Sequence, residues 1–189
     1  MKKLASLLLL SFSVAAFAND NLTKDTGINY NEIGLGYFSM RISDTDFNGY
    51  AVRGSALVTD HIFVEANYAN GTNSSYTLTF TEANVGYRTP LGASTDGIAS
   101  IGYTGFTLTD NDTSNGYNLK FGVISKLTDD FKLGGSYKYS NITNNDPFST
   151  VTLDGQYNFT KSFYTNISYN SMSGGATAKY YILGVGYNF

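Results

Sequence analysis

The chain has a single histidine, His61, and it is the first place to look for catalysis. A histidine beside a carboxylate can act as an oriented general base for a nucleophile or a water. Asp60 precedes His61, but Thr59-Asp60-His61 reads as a turn, and a neighbouring acid there follows from turn chemistry alone. The acidic stretch Asp110-Asn111-Asp112 and the pair Asp44 and Asp46 form crude cation sites of the kind hard metals favour. Two acids on a loop also read as an ordinary turn. With one His and no Cys, multi-ligand N/S metal sites are excluded. The expectation is therefore no enzyme, no metal and no cofactor. A net charge of −3 provides no basic field for nucleic acid.

The remaining chemistry lies in charges scattered through an otherwise neutral chain. Of 189 residues, 42 % are hydrophobic and only 14 % charged, with 16 Tyr, 13 Phe and no Trp. Much apolar surface, many amides and hydroxyls, and little charge make an odd soluble globule. The mixture suits a transmembrane β-barrel, apolar outside and polar inside.

The first residues read as an export signal. Met1-Lys2-Lys3 is basic, Leu4 to Ala16 is mostly apolar, and Ala16-Phe17-Ala18 is an A-x-A cleavage pattern. The apolar run is shorter than the ~20 residues of a membrane-spanning helix. The expected organisation is a signal peptide over 1–18, a periplasmic N-terminal segment over 19–31 and a barrel over 32–189. Removing the signal takes away Lys2 and Lys3 and makes the chain two charges more acidic.

After Tyr30 the hydrophobic pattern has period two. Tyr181, Leu183, Val185, Tyr187 and Phe189 share one face of the last segment, against Ile182, Gly184, Gly186 and Asn188. Nine turn clusters divide the chain into ten strands, over 32–42, 49–58, 62–69, 76–89, 97–109, 116–127, 131–142, 148–159, 163–172 and 178–189. Each is near the ~9–11 residues of a tilted transmembrane strand. Merging two hairpins into long loops would leave an eight-stranded alternative. Within 76–89, Tyr76, Leu78 and Phe80 have the opposite parity to Ala83, Val85 and Tyr87, and a bulge near Thr81 would reconcile them. The predicted fold is an antiparallel up-and-down barrel. A soluble β-sandwich is the competing reading, but it would not place aromatics at both ends of nearly every strand.

With both termini in the periplasm, the outward aromatics sort into two rings. Tyr50, Tyr68, Tyr76, Tyr117, Tyr139, Tyr169 and Tyr181 lie near the external ends. Tyr87, Phe131, Tyr157, Phe159, Phe163, Tyr187 and Phe189 lie near the periplasmic ends. Amphipathic rings prefer the headgroup boundary, and small or aliphatic residues such as Val52, Ala66, Leu153 and Leu183 lie between them. Apolar-Gly-Tyr recurs at Leu35-Gly36-Tyr37, Val85-Gly86-Tyr87, Ile101-Gly102-Tyr103 and Val185-Gly186-Tyr187. Its glycines point into the lumen and leave room for larger neighbours such as Phe38, Phe63 and Phe106.

The inward faces are expected to carry Arg53, Glu65, Glu82, Arg88, Lys120, Lys126, Lys132, Lys138 and Asp154, with Asn67, Asn84, Asn118, Gln156 and Asn166. Barrels of about eight strands are filled by side chains, whereas open channels need ~16 or more. The first reading is a polar, ion-paired plug, since buried charges need partners. Six of the nine charges are basic, so the alternative is a narrow, weakly anion-favouring pore.

The alternating strands, the signal peptide and the terminal Tyr181-x-Leu183-x-Val185-x-Tyr187-x-Phe189 resemble the small outer-membrane barrels of Gram-negative bacteria (OmpA-, OmpX- and Opa-like). The enzymatic barrels of that membrane resemble one another in placing a His near the outer-leaflet end, whereas His61 falls in a periplasmic turn. The resemblance implies outer-membrane lipid and lipopolysaccharide as surroundings. It also implies an assembly signal at Tyr187 and Phe189, read by the barrel-insertion machinery. A monomer is expected, with a structural role in the envelope. Surface recognition or adhesion through the short external loops is the further alternative.

Overall fold

The computed structural model describes residues 26–108, 112–143, 146–175 and 177–189. The signal peptide, residues 19–25 and the Asp110-Asn111 tip lie outside the described residues. The strands are β1 (Glu32–Ile42), β2 (Thr45–Leu57), β3 (Ile62–Thr72), β4 (Thr77–Gly92), β5 (Thr95–Leu108), β6 (Asp112–Lys126), β7 (Phe131–Ile142), β8 (Phe148–Asn158), β9 (Phe163–Gly174) and β10 (Ala178–Asn188). Each pairs antiparallel with its sequence neighbour, and β1 pairs with β10 to close the barrel. Closure leaves no unpaired edge, the condition for strands to cross a bilayer. Ten strands hold and the eight-strand alternative falls.

Several boundaries differ from expectation, because cross-strand pairing overrides turn propensity. β2 begins at Thr45, so the first hairpin turns on Ser43 and Asp44 alone, with Ser43 in the left-handed region at φ 53°. β3 continues through Asn70 and Gly71 to Thr72. The expected loop over 90–96 shrinks to Ala93-Ser94, because β4 runs to Gly92 and β5 starts at Thr95. Pro90 lies at that strand end, beside a register shift between Pro90 and Gly92. The bulge expected near Thr81 is absent: the β3–β4 register is unbroken from Ile62↔Tyr87 to Thr72↔Thr77. The parity conflict there is real, since Leu78 is buried and Phe80 packs beside it in an apolar cluster within the barrel.

At the end carrying the termini, three hairpins share one turn. Val58-Thr59-Asp60-His61-Ile62, Leu127-Thr128-Asp129-Asp130-Phe131 and Phe159-Thr160-Lys161-Ser162-Phe163 each bring two backbone N–H groups onto the last residue's carbonyl. In each, the threonine hydroxyl also accepts two N–H groups, as Thr59 Oγ1 does from Ile62 at 3.0 Å and His61 at 3.3 Å. The threonine satisfies donors that the tight turn would otherwise leave unpaired. Replacing Thr59, Thr128 or Thr160 by Ala is expected to lower the unfolding free energy of the folded barrel by about 1 kcal/mol each. Serine should restore it. Urea titration of the barrel in lipid vesicles measures both.

Candidate functional site

The functional candidate is the lumen, and its geometry follows from register. Strand alternation gives all ten strands one inward face, and side chains from opposite walls meet across the interior. Three layers result.

The central layer is ionic. Lys120 and Lys138 are register partners on β6 and β7, two like charges side by side on one wall. Glu65 on β3 and Glu82 on β4 face them and pair with Lys120 and Lys138 respectively. Asn84 donates a further hydrogen bond to Glu65 at 2.9 Å. Nearer the termini, Glu32 lies 3.1 Å from Lys132 and 3.4 Å from Arg53. Arg53 also reaches Asp154 at 3.2 Å and donates to Gln156 at 3.3 Å. Ser168 donates to Asp154, and the Arg53 guanidinium lies over the Tyr164 ring at 5.6 Å. These four cations and four anions are neutral in sum, and every pair except Arg53–Glu32, on the neighbouring β2 and β1, joins strands that are not neighbours in the sheet.

An apolar layer lies at each end of this one. Towards the end far from the termini, Phe38, Met40, Phe47, Ala51, Leu78, Met172 and Ala178 are buried together, with Phe80, Phe106, Tyr180 and others packed against them. At the termini end, Ile28 and Tyr30 are buried against Leu57 and Phe63. The segment before β1 therefore enters the mouth of the barrel. Ser55 donates to the Tyr30 carbonyl at 2.6 Å, the Leu57 amide donates to Asn31 Oδ1 at 2.9 Å, and the terminal Phe189 amide donates to the Asn31 carbonyl at 3.1 Å. The Tyr30 hydroxyl donates to Asp96 at 2.9 Å, and burial together with the Asp96 carboxylate holds its pKa well above the usual phenol value. Arg88, 0 % exposed, lies 3.2 Å from Asp96 and over the Tyr30 ring at 5.4 Å, and its Nε donates to the Asp60 carbonyl at 2.9 Å.

Between the apolar layers lies a cavity of about 280 Å³, walled by the ionic groups below and by Phe80, Phe148, Met172 and Tyr180 above. Met40, Phe47 and Leu78 beyond one end, and Ile28 and Tyr30 beyond the other, are not among its walls. The volume has room for on the order of ten waters, which suits walls this polar.

The expected inward charges Arg53, Glu65, Glu82, Arg88, Lys120, Lys132, Lys138 and Asp154 all lie inside. Lys126 sits at the mouth, where its ammonium is 2.8 Å from Asp129 in the adjoining turn and lowers that exposed carboxyl's pKa. Sequence reasoning missed Glu32, Asp96, Tyr30 and Tyr164. The alternation within the assigned 32–42 strand already gives Glu32 the inward parity of Gly34 and Gly36, and one step beyond the 97–109 strand would have found Asp96. With these two acids counted and Lys126 paired at the mouth with Asp129, five bases face five acids inside, and the basic excess behind the anion-favouring pore disappears. The expectation of a lumen filled by polar side chains holds for the middle, but an apolar cluster lies towards each end, the one near the termini beside the buried Arg88–Asp96 pair.

His61 remains in its turn, with its ring stacked on Tyr87 at 5.5 Å and Nδ1 3.3 Å from the Arg88 carbonyl oxygen. The lumenal glycines make close contacts of the expected kind. A Cβ on Gly86 would meet the Phe63 ring, and one on Gly186 would meet the Tyr164 ring. Phe106 is not among the neighbours of any of these glycines, and packs on Phe80 instead.

The outer face is the complement. Leu35, Val85, Ile101, Leu153, Ile167, Leu183 and Val185 are exposed, as are Tyr50, Tyr87, Tyr117, Tyr157, Tyr181 and Tyr187. Tyr68, Tyr139 and Tyr169 share the outward parity in register. Outward rings touch near both ends, Tyr50 with Tyr68 at 6.0 Å and Tyr169 with Tyr181 at 5.1 Å, and Phe163 with Tyr187 at 5.3 Å near the termini. Tyr76 stands just before β4, outside the strand, and Phe189 just after β10. Phe121 and Tyr137 are further exposed aromatics that the two-ring reading had not included.

A closed barrel with an apolar outer face and an ionic interior defines a transmembrane β-barrel. The sequence profile of the outer membrane protein beta-barrel domain matches residues 4–159, and the chain belongs to that family. Solved structures are similar to this chain at low identity. A KdgM porin in complex with disordered oligogalacturonate is 16 % identical, with a TM-score of 0.47, covering 84 % of this chain and 99 % of the porin. The N-terminal β-barrel domain of Pseudomonas aeruginosa OprF is 15 % identical, with a TM-score of 0.42, covering 86 % and 100 %. Ail, the attachment invasion locus protein of Yersinia pestis, is 12 % identical, with a TM-score of 0.42, covering 86 % and 100 %. A search among curated proteins finds no match.

The ionic layer predicts a mutational asymmetry. Glu82→Gln should cost about 3–5 kcal/mol, because it strands the Lys138 ammonium in the lumen. Adding Lys138→Met should recover most of that loss, and urea unfolding of the single and double variants in vesicles reads the difference.

Proposed function

We propose that this protein is an integral structural component of the bacterial outer membrane, with a lumen closed to steady ion flow. The observation that carries this reading is the pairing of every central lumenal charge across the barrel, between two apolar layers. A conducting pore keeps charged groups hydrated along a continuous path. Here the cations are already neutralised, and Phe38, Met40 and Leu78 lie across one route while Ile28 and Tyr30 lie across the other. Of the alternatives, the narrow pore loses the charge excess that suggested it. Surface recognition has only short hairpin ends to act through, such as Ser43-Asp44 between β1 and β2.

In the proposed orientation the termini face the periplasm and the other end faces the cell exterior. The lipid-facing band accounts for outer-membrane lipid and lipopolysaccharide as its surroundings. The alternating outward residues of β10, ending at Tyr187 with Phe189 after it, support insertion by the barrel-assembly machinery. Pairing of β1 with β10 completes the sheet within one chain, which supports a monomer.

Planar-bilayer recording of the purified protein tests the closed lumen. Long silent traces are expected, and steady, discrete conductance steps would overturn the reading. The protein should also extract from an outer-membrane fraction only with detergent and migrate differently before and after boiling.

A further inference from the structure

The outward face of the barrel is almost free of charge. Among the described residues of the ten strands, three charged residues hold outward positions, Arg41, Asp46 and Lys179. All three lie in one register row, because Lys179 on β10 pairs with Arg41 on β1, and Arg41 with Asp46 on β2. The row is at the end far from the termini. On its membrane side the next outward residues are Tyr181, Ser39 and Asn48, then Leu183, Tyr37 and Tyr50.

The row is electrostatically incomplete. Like charges directly opposite one another on a sheet are destabilising. Asp46 answers only one of the two cations, through a bidentate bridge to Arg41 at 2.6 and 2.8 Å. Lys179 has no ion-pair partner among the described residues. Two adjacent cations that face lipid, just beyond a tyrosine at the headgroup boundary, complement a phosphate on a lipid headgroup. Arg41 keeps Nη1 outside its bridge to Asp46, and an ammonium beside it offers three donors. Below them the small Ser39 leaves a notch between Tyr181 and Asn48, with a hydroxyl and an amide at the depth of a headgroup sugar. Leu183 and Leu35 continue the line as apolar surface for acyl chains.

We propose that Arg41 and Lys179 form a binding site for a phosphate of an outer-leaflet glycolipid, with Ser39 and Asn48 beside its sugar and the acyl chains laid along β1 and β10. The inference rests on the outward orientation proposed above. The site would fix one lipid against the seam where the first and last strands close the barrel.

Native mass spectrometry of the full-length barrel, released from mixed micelles, tests this with three probes: bis-phosphorylated lipid A, its dephosphorylated form and phosphatidylglycerol. The expected result is one retained lipid A per barrel, at least tenfold lower retention in Arg41→Gln/Lys179→Gln, and several-fold lower retention in Lys179→Gln alone. Neither other probe should be retained comparably. Equal retention by wild type and variants, or of the dephosphorylated lipid, overturns the site. Phosphatidylglycerol retained as tightly as lipid A, with the same dependence on Arg41 and Lys179, overturns the glycolipid as its ligand. Heat-modifiable mobility is read on every sample. Its absence in the wild type would contradict the barrel reading itself, whereas its presence without lipid retention contradicts only this inference.

Discussion

The structure depends on compensating charges inside a narrow barrel. An isolated lumenal lysine would carry a desolvation cost that a small cavity cannot repay. Lys120 and Lys138 lie side by side on one wall, so the opposite wall must supply two acids, and Glu65 and Glu82 do so. The same demand ties Lys132 and Arg53 to Glu32 and Asp154. Because all of these pairs but Arg53–Glu32 come from non-adjacent strands, they hold separate walls together, whereas backbone ladders only join neighbours.

The two apolar layers follow from the same constraint. Ion pairs in a low-dielectric interior are strong, and their strength falls where water and salt enter freely. On the proposed reading, the apolar clusters around Phe38, Met40, Phe47 and Leu78 at one end, and Ile28 and Tyr30 at the other, limit that entry. The N-terminal cap is itself held by polar anchors, through Asp96, Arg88 and the Leu57 amide. Lipid outside and paired charge inside thus share one strand alternation, and every outward Tyr or Leu has an inward neighbour committed to the lumen.

Much of this was legible in the sequence, because period-two alternation carries both faces at once. The ten strands, the outward aromatics and eight lumenal charges follow from parity alone. What escaped did so for physical reasons. Tyr30 lies before any alternation, and only the fold shows that its segment turns back into the barrel. Asp96 lies in a stretch whose Pro, Gly, Ser and Asp read as a loop, and strand pairing overrode that local signal. Leu78 and Phe80 looked like a register fault because inward residues were expected to be polar. Alternation tells which face a residue occupies, and depth along the barrel decides whether that face is wet. The charge row at Arg41 and Lys179 was invisible for a related reason, since only the β1–β10 closure makes these distant residues neighbours.

The central claim is that the lumen is sealed between its two apolar layers, and chemical access to a lumenal side chain tests it most directly. The protein has no cysteine, so Ser136→Cys would place a single thiol in the wall of the cavity. With the barrel in lipid vesicles, a membrane-impermeant thiol reagent should leave this cysteine unmodified until the protein is unfolded. Rapid modification of the folded barrel would contradict the account.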